Sequence, residues 1–237
     1  LIAKSQRNAE RVFPYLGGAE VNSHPQQLFD RYVISFDKMS LEEARRWPDL
    51  IELVEQRVKP ERDNLRADNA SARALKQNWW RFQAHRPELY AALDLLDRCL
   101  VAARVSKHLM FCMQPADRIF SEQLYVFPLD NWTAFATLHS RIHETWAWLL
   151  SSTMRDAGIR YSASDCFDTF PFPSPAPTAV IPGAERDGQA LHEARATFMM
   201  DTGQGLTATY NLLKDPACDD ERILKLRELH ERLDRAV

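Results

Sequence analysis

The spacing of apolar and polar positions divides the chain into a mixed N-terminal stretch, a strand-rich middle and a helical end. Residues 12–36 carry turn signals at Pro14 and Gly17-Gly18, followed by a β-prone run, Arg31-Tyr32-Val33-Ile34-Ser35-Phe36. Ser40-Leu41-Glu42-Glu43 sets a carboxylate three residues after a hydroxyl, a capping box that opens a helix. Trp47-Pro48 breaks it, and a second helix begins near Asp49 with Leu50, Val54 and Val58 on one stripe. Pro60 ends or bends that helix. Residues 61–77 are highly charged and helical in pattern, with little apolar matter to anchor them. Asn78-Trp79-Trp80-Arg81-Phe82 then mixes aromatic rings with polar donors, and Pro87 opens a short helix reaching Leu96.

Three β-like runs follow, over residues 99–105, 109–113 and 123–129, spaced as an antiparallel meander. Asn131 caps the most regular helix of the chain, predicted over 132–154 and stopped by Asp156-Ala157-Gly158. On it Trp132, Phe135, Ile142, Trp146 and Leu149 recur at helical spacing and are predicted to pack onto the sheet. Phe170-Pro171-Phe172-Pro173 and then Pro175, Pro177 and Pro182 remove donors and hold the backbone extended. Helices are predicted beyond, over 189–200, 206–213 and 220–237. The fold class is α+β: an antiparallel sheet with packed helices, followed by a small α-helical C-terminal segment. The expected division is a domain over 1–173, a Pro-rich linker over 174–187 and a helical segment over 188–237.

Composition adds little until charge is placed along the chain. With 237 residues, 45 % of them hydrophobic, a substantial core can be buried, and no apolar run is long enough to cross a membrane. The net charge of −3 argues against a protein that coats nucleic acid indiscriminately. Yet residues 57–108 hold eleven basic side chains against six acidic ones, whereas eight face eleven from Ser174 onward. A basic middle and an acidic end fit one face for phosphates and another for protein, or simply solvated helix faces. Cys99, Cys112, Cys166 and Cys218 show no CxxC spacing and read as reduced thiols of a cytoplasmic protein. The chain opens at Leu1-Ile2-Ala3-Lys4 without an initiator Met or a signal-peptide layout, so it is expected to be part of something longer.

No catalytic residue is identified. The chain has no phosphate-binding glycine loop, no nucleophile elbow and no polar-Pro-Pro-aromatic motif of the kind a DNA amino-methyltransferase needs. His139 and His143 lie four apart, as in zinc proteases, but Ser140 stands where the general-base Glu would follow, and Arg141 would repel a cation. Helical packing with polar contacts is the preferred reading over a metal or a hydrolase site. Arg104, Ser106, Lys107 and His108 lie between two apolar runs. Such side chains on a β-hairpin can read base edges in a major groove, or can form an ordinary polar turn. Trp79-Trp80-Arg81 can rest against a sugar–phosphate strand or belong to the core.

In order along the chain, Pro14-Tyr15-Leu16-Gly17-Gly18 with Glu20 and Asn22, Arg31-Tyr32-Val33-Ile34, the stretch from Trp47 to Asp63, Trp79-Trp80 and Arg104-Val105-Ser106 form a set. Leu138 to His143 with Trp146, Arg160-Tyr161-Ser162 and Phe170-Pro171-Phe172-Pro173 continue it. Gly205-Leu206-Thr207, Tyr210-Asn211, Leu226 to His230 and Asp234 complete it. This series resembles the target-recognition and C-terminal region of MmeI-like, type IIG or IIL, DNA adenine methyltransferases. The resemblance implies sequence-specific recognition of double-stranded DNA, through Arg31, Trp79, Trp80, Arg81, Arg104, Ser106, Lys107 and His108. It also implies an upstream methyltransferase domain of the same parent protein, which would bind S-adenosylmethionine, so no cofactor is expected in this chain. A bacterial restriction-modification or phage-defence setting follows from it. The competing class is a protein-interaction scaffold whose basic stretch meets acidic partners.

Overall fold

The computed structural model describes residues 1–82, 86–154, 158–174 and 176–237. Its elements are β1 (Val12–Leu16), α1 (Gly18–Ser23), β2 (Arg31–Ile34), α2 (Leu41–Ala44), α3 (Pro48–Arg57), α4 (Lys59–Asp63), α5 (Ala70–Gln77) and α6 (Pro87–Leu93). There follow β3 (Arg98–Ala103), β4 (Val105–Ser106), β5 (Phe111–Pro115), β6 (Ile119–Phe120), β7 (Leu124–Phe127), α7 (Trp132–His139) and α8 (Arg141–Leu150). The series closes with β8 (Ser152–Met154), β9 (Gly158–Arg160), α9 (Pro182–Thr202), α10 (Leu206–Lys214) and α11 (Glu221–Ala236). The fold is α+β, with small antiparallel sheets and a helical C-terminal segment. Among the described residues no helix is long and apolar enough to cross a membrane.

Two compact units divide the chain: Leu1–Tyr15 with Arg31–Ala91, and Leu16–Asp30 with Ala92–Val237. In the first, β1 and β2 pair antiparallel, Val12 opposite Ile34 and Tyr15 opposite Arg31. Its core gathers Phe36, Ala44, Trp47, Leu50, Ile51 and Trp79. The expected capping box forms: Ser40 Oγ accepts from Glu43 N, and Glu43 Oε2 accepts from Ser40 N. Trp47 is tied down by its indole N–H donating to Arg7 O, while Arg7 and Arg11 stack 4.8 and 4.9 Å from its ring. The charged stretch does form helices, α4 and α5, and neither buries a residue. Arg62 instead anchors it, donating to the carbonyls of Asn78 and Arg81.

In the second unit the sheet departs from the predicted meander. Its order is β5-β3-β7, so β3 is the central strand and pairs antiparallel with both neighbours. The continuous burial of Cys99 to Ala103 is the physical reason. A run apolar on both faces belongs at the centre of a sheet, with an edge on each side. The predicted helix over 132–154 is likewise two helices. At Ser140 the backbone turns extended (ψ 151°), its hydroxyl donates to Thr137 O, and the same oxygen accepts from His143 N to cap α8. The break shifts the phase of the stripe. All of α7 is buried, but on α8 His143 and Ala147 face inward while Ile142 and Leu149 stand 58 and 76 % exposed. The predicted stop at Asp156-Ala157 lies outside the described residues, as does Pro175 of the proline-rich stretch.

α9 begins at Pro182, a residue suited to a first turn because its missing N–H would have had no partner there. The C-terminal helices share one core with the sheet: Leu191, Phe198, Ile223, Leu226, Leu229 and Leu233 join Leu100, Phe111, Phe127 and Phe135. Gly188 lets α9 approach α7, since a Cβ there would lie 2.5 Å from Trp132 O. Glu185 Oε2 accepts from the backbone N–H and hydroxyl of Thr133, so α9 also caps the start of α7.

At the middle of this core lies Arg195, 1 % exposed. Its Nη1 donates to His139 Nε2 at 2.9 Å and to Tyr210 OH at 3.1 Å, and its Nη2 donates to Phe111 O at 2.8 Å. Phe135 and Tyr210 lie 5.3 and 5.9 Å from the guanidinium. Because the Phe111 N–H also donates to His139 Nε2, that nitrogen carries no proton, and Nδ1–H faces Phe135 O. One side chain thereby holds β5, α7, α9 and α10 at fixed spacing. Arg195→Ala orphans Phe111 O and weakens the hold on Tyr210 and His139. The expected loss is about 2–4 kcal/mol, at about 1–3 kcal/mol per unsatisfied buried group. Urea unfolding at neutral pH measures it, and a loss below about 1 kcal/mol contradicts the assignment.

Candidate functional site

The segment after β3 joins it to its antiparallel neighbour β5, Ala102 opposite Phe111, so it is a hairpin connection, but a long one that carries a strand of its own. β3 pairs with β5 and β7, but the chain leaves that sheet at Arg104. β4 then pairs with β9, Val105 opposite Arg160 and Ser106 opposite Ile159. Both ends of Arg104 are fixed: its N–H donates to Gln123 O at 2.8 Å, and its carbonyl accepts from Tyr161 N at 2.9 Å. Its guanidinium donates to Glu122 O at 3.1 Å and lies 5.3 Å from the Tyr125 ring. Ser106 is buried, and its hydroxyl has no hydrogen-bond partner. Gly158 (φ +91°) is required beneath it, because a Cβ there would lie 2.3 Å from Ser106 O.

Lys107 and His108 follow at the surface and share one acceptor. Lys107 Nζ donates to Asn211 Oδ1 at 2.7 Å, and His108 Nε2 donates to the same oxygen at 3.0 Å. Partial burial holds the His108 pKa below its ordinary value; the bond to Asn211 acts against that, and Lys107 and Lys214 reinforce it. A neutral imidazole beside an ammonium on a single amide oxygen gives a donor cluster with one net positive charge. Asn211 is a residue that periodicity did not single out. Arg160 likewise emerges only through the pairing of β4 with β9.

The remaining sequence-predicted residues lie in the first unit. Arg31 opens β2 at the surface with its guanidinium 5.3 Å from the Tyr15 ring. Trp79 is 8 % exposed, belongs to the core, and has Lys59 Nζ 5.1 Å from its ring. Trp80 meets it edge-on; its indole N–H donates to Met39 O at 2.9 Å. Arg81 donates to that carbonyl at 2.8 Å and stacks 5.2 Å from Trp80. Packing thus occupies Trp79, whereas Arg31, Trp80 and Arg81 keep surface.

His139 and His143 do not share a helix face, because the Ser140 break separates them. His143 Nδ1–H donates to Leu138 O at 2.9 Å, and its Nε2 accepts from Tyr161 OH at 3.1 Å. With His139 engaged by Arg195, Phe111 and Phe135, the ring nitrogens of both histidines have protein partners.

The family model described as MmeI, target recognition domain, matches residues 1–174. The chain belongs to that family. The match runs from Leu1 past β9 to the Phe170-Pro171-Phe172-Pro173 signature and ends at Ser174, before α9. A solved structure of the Type IIL restriction-modification enzyme MmeI in complex with DNA has the same fold at 20 % identity, with a TM-score of 0.63. All of this chain is covered in that comparison, and it spans 29 % of the MmeI chain. No curated protein matches the chain.

The buried imidazoles of this target recognition domain set its acid limit. Desolvation lowers the His143 pKa to about 4 and that of His230 to about 3, while the unfolded rings keep an ordinary value near 6.5. Between those values the unfolded chain binds more protons than the native one. The stability that these two rings contribute is therefore fully present above pH 6.5 and is lost as the pH falls toward 4. Thermal melts from pH 7.5 to 4 should show that decline, and His143→Gln should make it shallower. A flat profile over this window contradicts the neutral assignments.

Proposed function

We propose that the chain is the DNA-specificity module of a restriction-modification protein: it grips duplex DNA and discriminates among base pairs, while methyl transfer to adenine N6 occurs on another domain. The observation that carries this reading is the surface pair Lys107 and His108, held together on Asn211, in a chain whose family is defined by target recognition. The MmeI structure of the same fold was determined with DNA, which supports the assignment. Lys107 presents donors and His108 its acceptor Nδ1 toward base edges, with Arg104 and Ser106 in the same connection. Arg31, Trp80 and Arg81 meet the sugar–phosphate strand, and Trp79 braces Trp80 from the core. The recognition surface falls within residues 1–173. Residues 174–181 lead into the helical segment that begins with α9 at Pro182 and braces the module through Asn211.

The same reading places S-adenosylmethionine and the reaction in an upstream methyltransferase domain of the parent. It also places the parent in a bacterial cytoplasm, in a type IIG-like modification or phage-defence system. Chemistry at an adenine requires that the base leave the stack, and a recognition module that fixes the duplex supplies the hold against which it is extruded.

An electrophoretic shift titration of the chain with duplex DNA, at two salt concentrations and with competitor duplex, tests the proposal. Binding should weaken steeply with salt. Lys107→Ala should cost about 1–3 kcal/mol of discrimination between the preferred duplex and its single-base variants. Equal affinity for acidic polypeptide and duplex, or discrimination unchanged in Lys107→Ala, would count against it.

A further inference from the structure

Beside the β3–β5 connection, within the second unit, a pocket of about 630 Å³ opens to solvent. α1 contributes Asn22 and Ser23, the β3–β4 junction Arg104, the turn before β7 Glu122, β9 Arg160, and the start of α10 Thr207. Antiparallel pairing sets Arg160 opposite Val105, so the two arginines enter from neighbouring strands. Arg104 is engaged by a backbone carbonyl and an aromatic ring, not by a carboxylate. Arg160 has no hydrogen bond or ion pair from its side chain among the described residues, and neither has Asn22. Thr207 lies in the first turn of α10, whose cap residue is Gly205 and offers no side chain to the first N–H groups.

We infer that this pocket seats a backbone phosphodiester of the bound duplex, with Arg160 as its principal cation and Arg104, Asn22, Ser23, Thr207 and the α10 N-terminus completing a donor-rich wall. The inference rests on the DNA reading above and deepens it. Three physical arguments favour phosphate over a base edge. Shape comes first: a base edge lies at the floor of a groove and is reached by a projecting element, whereas the phosphate ridge is convex and fits a concavity. Donor supply comes second, since two guanidiniums, two hydroxyls, an amide and unpaired helix N–H groups match an anion with several acceptor oxygens. Third, the pocket lacks an aromatic face on which an extruded base would stack. Among the described residues Glu122 is the single carboxylate of the wall, and it opposes the anion. Register follows from this seat: Arg160 fixes the strand, and Lys107, two residues past its pairing partner Val105, reaches the groove alongside.

Two substitutions separate this seat from the alternatives, measured on the full chain with the preferred duplex and its single-base variants over a salt series. Arg160→Ala should weaken binding uniformly across sequences and reduce the slope of log affinity against log salt by about one, the signature of one lost phosphate contact. Glu122→Gln should tighten binding several-fold without altering sequence preference. Both side chains are solvent-exposed, so thermal melts should match the unsubstituted chain. A changed sequence preference in either variant would make this a base-reading site and overturn the inference. So would unchanged affinity in both variants. Micromolar inorganic phosphate that stabilises the unsubstituted chain but not Arg160→Ala would identify a small-anion site and overturn it as well. If the unsubstituted chain binds no duplex, the DNA reading itself fails along with this seat.

Discussion

Arg195 is a guanidinium withdrawn almost entirely from water, and its bonds go to neutral acceptors: a backbone carbonyl, an imidazole and a phenol. Such a charge is tolerated only where its donors are satisfied with good geometry, so its partners have little freedom to move. Those partners bracket the candidate site. Phe111, which accepts from Nη2, follows His108 by three residues. Tyr210, which accepts from Nη1, immediately precedes Asn211, the residue on which Lys107 and His108 converge. The buried network thus sets the distance between the start of β5 and the face of α10, and the surface donor cluster inherits that rigidity. A recognition surface needs this property, because discrimination between base pairs depends on donors held in place before the duplex arrives.

The electrostatics follow the same division. Buried rings are kept neutral by desolvation, and His139, His143 and His230 all lie below their ordinary range. Positive charge is displayed instead on exposed side chains, Lys107 and Arg160 among them. Asp187 shows the complementary solution for an acid, buried but paired with Arg186 and Arg232 between α9 and α11. Ion pairs also join the C-terminal segment to α8: Arg141 pairs with Asp234, and Lys214 with Glu144.

Local chemistry was legible in the sequence wherever one residue decides the backbone. Ser40 and Asn131 cap helices as their side chains suggest, and the three apolar runs of the middle are strands, whereas Pro182, expected in an extended linker, opens α9. Features decided by tertiary context were not. Periodicity carries through Ser140, whose hydroxyl breaks the helix only because Thr137 O and His143 N are both within its reach. Spacing alone suggests a meander, whereas burial on both faces draws the first run to the centre. Residues 104–108 were visible as a polar interruption of an apolar region, yet the strand they form depends on β9, more than fifty residues away. Arg160, Asn211 and Arg195 gain their roles purely from such long-range placement. Trp79 was open to two readings, and the structure assigns it to the core of the first unit. The family resemblance reached what periodicity could not, because an ordered series of short motifs encodes those distant pairings together.

Selection from a randomised duplex pool tests the central claim most directly. The chain is incubated with the pool at moderate salt, bound duplexes are recovered and amplified over several rounds, and the enriched sequences are read. A specificity module enriches one short, fixed motif, and that enrichment collapses when the Arg195 network beneath the Lys107 and His108 cluster is broken by Tyr210→Phe with Asn211→Ala. A pool that remains random after repeated rounds, under conditions where the folded chain retains bound duplex, would contradict sequence recognition by this chain.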